Sequence, residues 1–223
     1  TMLGGNSIWL AGDDVLLTLP DLPMDQHVAW ISRDGSAEAI AGLPVGGWTG
    51  LVLSPDGSQV IGTRRQAGSA SSASSDLWLA DLARGTAVRF TNQPGLTINA
   101  VWAPDGRSLY YSNNGSGVYE VFSKSVTSSG APTFVAKGKG LVLHPSSTTP
   151  DGRTIVLQTD SPGMGMDIAM VRLDGGAAPE PLIATPANEG GGKLSPDGRW
   201  IAYASDESGQ IEIYVDARSE EHT

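Results

Sequence analysis

The chain has 223 residues, among them 29 Gly, 14 Pro and no Cys, and 39% are hydrophobic, enough to bury a core. Its formal charge is −10 and no basic stripe occurs, which argues against nucleic acid, whose binding rests on Lys and Arg meeting phosphates, and against an anionic membrane surface. The missing Cys exclude thiolate catalysis, disulfides and Cys-ligated zinc, and no run approaches the ~18 apolar residues of a membrane-spanning helix.

Residues 1–45 read as a degenerate four-stranded unit, with strands at Ser7–Leu10, Asp14–Leu17, His27–Ile31 and Glu38–Ile40. From there a regular pattern takes over. Pro-Asp-Gly occurs at Pro55-Asp56-Gly57, Pro104-Asp105-Gly106, Pro150-Asp151-Gly152 and Pro196-Asp197-Gly198, at spacings of 49, 46 and 46 residues. Pro presets the first corner of a turn, Asp bonds back to its own backbone, and Gly accepts a positive φ. A short apolar run precedes each turn and a β-rich run follows it, as at Gln59–Gly62, Ser108–Tyr111, Thr154–Leu157 and Trp200–Tyr203. A third run follows at Asp76–Asp81, Val118–Phe122, Asp167–Val171 and Ile211–Val215, and a fourth at Ala87–Thr91, Thr133–Ala136 and Pro181–Ala184.

A period of about 46 residues holding four strands is the size of one β-propeller blade. Several strands are apolar on both sides, which fits a sheet packed on both faces, and no segment shows a 3.6-residue period. The expected fold is all-β, a propeller of about five four-stranded blades within a single domain 1–217: 1–45, 46–91, 92–137, 138–185 and an incomplete 186–217. The last unit lacks a fourth strand, so a fragment of a six-bladed or larger ring is expected, with 218–223 (Arg-Ser-Glu-Glu-His-Thr) as a non-native or disordered tail. Asn114-Gly115 is expected to form a tight hairpin turn.

The run Ser195–Gly209 followed by Glu212–Val215 resembles the WD40-like repeat of TolB-type propellers, and Asp76–Thr86 resembles its third strand and turn. The residues Val28–Gly35 and Thr185–Gly190 are similar to segments of the C-terminal propeller of certain bacterial serine/threonine protein kinases. Ala103 and Thr149 depart from the pattern, standing where Ser usually precedes Pro-Asp-Gly, and no kinase nucleotide loop, catalytic loop or Asp-Phe-Gly is present. The resemblance implies a sensing or docking module outside the cytoplasm, on the periplasmic side of a membrane-anchored protein, with a cytoplasmic position as the alternative.

Catalytic candidates are few. The three His are His27, His144 and His222, and no Gly-x-Ser-x-Gly elbow accompanies them, so no catalytic residue is assigned. Gly138-Lys139-Gly140 and Gly190-Gly191-Gly192-Lys193 lack the Ser or Thr of a phosphate loop. The Asp residues of the four turns and the Asp13-Asp14 and Asp206-Glu207 pairs read as turn and loop residues, so no metal and no cofactor is expected. Trp78, Trp102 and Trp200 read as blade core. Trp48, Asn99, Asn188 and Glu189 fall in or beside the loops that lead into first strands, where they would rim a central funnel and hold a protein, peptide or small ligand. The missing blades of the same ring are a further expected partner. Three readings follow: a non-catalytic binding or sensing propeller of a larger bacterial protein; the gating propeller of a prolyl-oligopeptidase-like peptidase; and a free-standing periplasmic TolB-like scaffold.

Overall fold

The computed structural model describes residues 8–11, 14–17, 27–65, 74–138, 142–161, 165–174 and 178–218. His222, the 219–223 part of the expected tail, Asp13 and Lys139-Gly140 lie outside them. The described residues contain strands and turns and no helix. In chain order the strands are β1 (Ile8–Ala11), β2 (Asp14–Leu17), β3 (Ala29–Ser32), β4 (Ala37–Ala39), β5 (Trp48–Leu53), β6 (Gln59–Arg65), β7 (Ser75–Asp81), β8 (Thr86–Arg89), β9 (Thr97–Trp102) and β10 (Ser108–Asn113). They continue with β11 (Glu120–Ser125), β12 (Thr133–Lys137), β13 (Val142–Thr148), β14 (Thr154–Ser161), β15 (Gly165–Arg172), β16 (Glu180–Ile183), β17 (Glu189–Leu194), β18 (Trp200–Ser205) and β19 (Glu212–Ala217).

Among the described residues these strands form five sheets, β1 to β4, β5 to β8, β9 to β12, β13 to β16 and β17 to β19, each a meander of sequential neighbours. This is the blade architecture of a β-propeller: all-β, antiparallel, one sheet per sequence repeat. The chain divides into two compact units, Thr1–Ala100 and Val101–Thr223.

Each Pro-Asp-Gly reverses the chain between the first and second strands of its sheet. The Gly amide donates to the carbonyl three residues back, as in Gly57 to Ser54 (2.9 Å) and Gly198 to Ser195 (2.8 Å). All four Gly sit at positive φ, from 68° at Gly106 to 72° at Gly57, the region only Gly enters cheaply. A hydroxyl before the Pro completes the lock. Ser54 Oγ donates to Asp56 Oδ1 (2.6 Å) and accepts from the Gln59 amide (2.9 Å). Thr149 does the same with Asp151 (2.6 Å) and the Thr154 amide (3.0 Å), so the Ser-to-Thr departure leaves this turn chemically unchanged. Ala103 supplies no hydroxyl, and Asp105 Oδ1 takes only the Arg107 amide (2.9 Å).

In the first unit Val28, Leu43, Trp48, Leu51, Val60 and Ala80 bury one apolar cluster between the first two sheets. In the second unit Tyr110, Val121, Leu143, Ile155, Leu157 and Val171 join the third sheet to the fourth. Val156, Ile168, Ile201 and Tyr203 join the fourth to the fifth. The fourth sheet therefore packs on both faces, which is why its strands read as continuous apolar runs.

Three local expectations are corrected. Asn114-Gly115 makes no tight two-residue hairpin: Gly117 donates to the Asn114 carbonyl (2.8 Å) and Gly117, not Gly115, takes the positive φ (93°). Asn113 Oδ1 accepts the Gly115 amide (2.9 Å), and the third strand begins at Glu120, two residues later than read. Trp200 is not core but 48% exposed, because the face of the fifth sheet that carries it is uncovered.

Candidate functional site

The residues leading into the first strands are equivalent across repeats. Trp48, Thr97, Leu143 and Glu189 each lie seven residues before the Pro of their turn, and all four are buried. Trp48 is 3% exposed and its indole N–H donates to the Pro44 carbonyl (2.7 Å). The Arg64 guanidinium lies 5.8 Å from the Trp48 ring and 5.1 Å from the Trp78 ring, and it donates to the carbonyls of Gly46 (3.2 Å) and Val45 (3.1 Å). Trp48 thus holds its own lead-in loop, and its ring is turned into the blade rather than offered to a ligand. Arg64, absent from the sequence reading, is the residue that joins the two Trp through cation–π contact.

Two residues further along stand Gly50, Asn99, Pro145 and Gly191. Gly50, Asn99 and Gly191 have φ of 58°, 54° and 68°, and Asn99 is the one non-Gly residue at positive φ among the described residues. The pairing of the first strand slips here, between Thr49 and Val52, Pro145 and Ser147, and Gly190 and Lys193. These are β-bulges; Gly50 and Gly191 stand left-handed at two of them, and Asn99 takes the same conformation at the equivalent place, which Asn tolerates better than other side chains. Asn99 is exposed.

In the second unit, the loop before β17 is tied on three sides. Asn188 donates through its amide to Asp206 Oδ1 (2.8 Å) and through Nδ2 to Oδ2 (2.7 Å), while its own Oδ1 accepts the Met166 amide (3.2 Å). Those bonds hold the Asp206 carboxyl below the usual range. Glu189 is fully buried, and its carboxylate accepts from the Thr185 amide (3.2 Å) and the Thr185 hydroxyl. Burial, and after it the Glu189 charge, raise the Asp167 carboxyl. Gln158 Oε1 accepts the Gly191 amide (3.1 Å).

The glycine run here is structural. A Cβ at Gly190 would stand 2.9 Å from Gln158 Oε1, and one at Gly192 would stand 3.1 Å from Ile168 Cδ1. The Lys193 ammonium turns to the Ser146 carbonyl, and loss of water pulls it down to about 8, although the residue as a whole stays exposed. No phosphate cradle is formed by these contacts.

His27 is exposed, and His144 packs edge-on to Tyr119 at 5.1 Å. Burial lowers His144, with the Asp160 charge opposing, and its Nδ1 is buried without a hydrogen-bond partner. Neither His bonds a Ser or Asp side chain, so no nucleophile and base are assembled among the described residues. Among those residues no three His, Asp or Glu are placed to hold a metal ion. What the lead-in loops present is backbone and amide groups on a braced frame, with Asn99 and Asn188 the exposed members of the expected set.

No protein-family model and no curated protein sequence matches the chain. Solved structures do. The chain superposes on TolB from Acinetobacter baumannii with a TM-score of 0.73 at 19% identity, covering 92% of this chain and 49% of that one. A putative TolB from Agrobacterium tumefaciens gives 0.72 at 22% identity, covering 92% and 73%. A puromycin-hydrolyzing peptidase of Mycobacterium tuberculosis gives 0.68 at 15% identity, covering 96% of this chain and 35% of that one. At these identities the likeness shows the fold, a β-propeller. The chain spans about half the length of the Acinetobacter protein and about a third of the peptidase.

Proposed function

We propose that this chain is a non-catalytic β-propeller module of a larger bacterial protein, binding a protein or peptide partner, or a small ligand, at the loops that lead into its first strands. The observation that carries the reading is how the polar groups are used. The Asp residues of the turns and the Asn188–Asp206 and Thr185–Glu189 pairs fix loops rather than face one another across a reaction site. Such a frame suits recognition by preorganised loops.

The parent protein is, on this reading, a bacterial serine/threonine kinase with the propeller outside the cytoplasm, a step that rests on the resemblance of Val28–Gly35 and Thr185–Gly190. The second reading, a peptidase gate, is favoured by the likeness to peptidase structures, in which 96% of this chain matches 35% of each peptidase chain. The coding sequence on either side decides between parents: a kinase domain and membrane helix upstream support the first, and an α/β-hydrolase domain downstream supports the second. The exposed face of the fifth sheet is the place for a further blade of the same ring.

The binding claim is tested by selecting displayed peptides on the immobilised protein, then repeating binding with Asn92→Arg and Pro186→Arg. Both residues are exposed in lead-in loops. Loss of at least about tenfold in affinity with either variant supports the proposal. Selected peptides that bind both variants as tightly as the parent overturn it.

A further inference from the structure

The third sheet departs from its siblings at one point that packing does not explain. Leu79, Ser123, Met170 and Val215 are equivalent, each three residues after an acid in the first half of its third strand (Asp76, Glu120, Asp167, Glu212). Three are large and apolar, and Leu79 and Met170 are buried. Ser123 replaces that bulk with a hydroxyl, and a half-open cavity of about 240 Å³ lies beside it.

The lining is built of hydroxyls. Ser108 pairs in register with Ser125, and Ser123 with Thr133, so all four side chains stand on one face of the sheet. The β11–β12 loop closes the side, with Ser128 and Gly130 on the wall. That loop is fixed by the Val126 amide to the Arg107 carbonyl (3.0 Å), by Ser125 Oγ to Thr127 Oγ1 (3.1 Å) and by the Gly130 amide to Ser128 Oγ (3.1 Å). The hydroxyls of Ser108, Ser123 and Thr133 make no hydrogen bond within the protein. Lys124 also lines the cavity, though strand alternation roots its Cβ on the face opposite Ser123 and Ser125.

We propose that this cavity is a binding site for a small neutral polyol, of the size of a monosaccharide or a cyclitol. A hydroxyl both donates and accepts, and so do the hydroxyls of such a ligand, whereas an oxyanion needs donors alone and is best served by cations. No cationic residue is rooted on the hydroxyl face of the sheet, and the protein carries a net charge of −10. Its volume lies below the roughly 300 Å³ at which pockets for drug-sized ligands begin, which selects a ligand of one ring. The site stands apart from the lead-in loops and does not depend on the function proposed for them.

The test is an amide chemical-shift titration of the whole chain with D-glucose, N-acetyl-D-glucosamine, myo-inositol and inorganic phosphate. Saturable shifts at Ser123, Ser125 and Gly130 with at least one neutral polyol are expected. They should weaken by at least about tenfold in Ser123→Leu, which restores the apolar residue found in the second sheet and fills the cavity. Because Leu is native at the equivalent place, its urea midpoint should not fall; were it to fall, Ser108→Ala and Thr133→Val give the same readout. Shifts with phosphate alone, no saturable shift with any of the four, or binding that these substitutions leave unchanged would each overturn the proposal.

Discussion

At the scale of single residues, the left-handed position in the first strands of the second, third and fifth sheets makes the sharpest demand on side-chain identity. Asn99 occupies a left-handed position that Gly50 and Gly191 fill in sibling sheets. A β-branched residue there meets the following carbonyl, a cost of about 1–2 kcal/mol. Asn99→Val should therefore lose about that much stability in urea unfolding, and Asn99→Gly should stay within a few tenths of a kcal/mol of the parent. Equal midpoints for Val and Gly would show that the left-handed position is not enforced. The turn carboxylates make a second demand. Hydroxyl donors at Ser54, Thr149 and Ser195, with the following backbone amides, hold Asp56, Asp151 and Asp197 below the usual carboxyl range. A carboxyl depressed in the folded state contributes stability above its unfolded value of about 4, and that contribution disappears as pH falls through the folded value. Replacing all three by Asn should flatten the decline of the urea midpoint from about pH 4 downward. An unchanged acid slope in the triple variant would assign that decline to other groups.

At the scale of elements, the blade period was plain in the sequence because its turn needs Pro, Asp and Gly at fixed places. The hydroxyl before the Pro is a matter of chemistry rather than residue name, so Thr149 substitutes for Ser without loss. Other features were hidden. The left-handed conformation of Asn99 is announced by no local motif. Trp48 reads as a loop residue from sequence, yet β5 begins at that residue and Arg64 and Leu51 close around it. Glu189 reads as a rim acid, and only the fold buries it and bonds it to Thr185. Trp200 reads as core by its place in a strand, yet burial depends on a neighbour across the sheet face. The equivalents make the point: Ile168 and Met170 are 0% and 4% exposed, whereas Ile213 and Val215 are 72% and 60% exposed. Ile211 and Trp200 extend this open apolar surface, and β19 has no strand on its outer side among the described residues. Apolar faces and open edges drive association. The double variant Ile213→Lys, Val215→Lys should lower self-association in sedimentation velocity while leaving the melting midpoint within a few degrees. Undiminished association would place the sticky surface elsewhere.

At the scale of the molecule, each sheet is small and finds its burial between neighbours, as repeat architectures do. Rigid sheets with irregular connections leave variation to the loops, which is where recognition resides in such scaffolds. The acidic surface adds solubility and repels other acidic partners, so a partner of neutral or basic character is favoured. The measurement that bears most directly on the binding role is amide hydrogen exchange of the chain with and without a selected peptide. Protection confined to the lead-in segments 44–50, 92–99 and 185–191 is the predicted result. Protection confined to the outer strands β8, β12 and β16, with those segments unchanged, would contradict it.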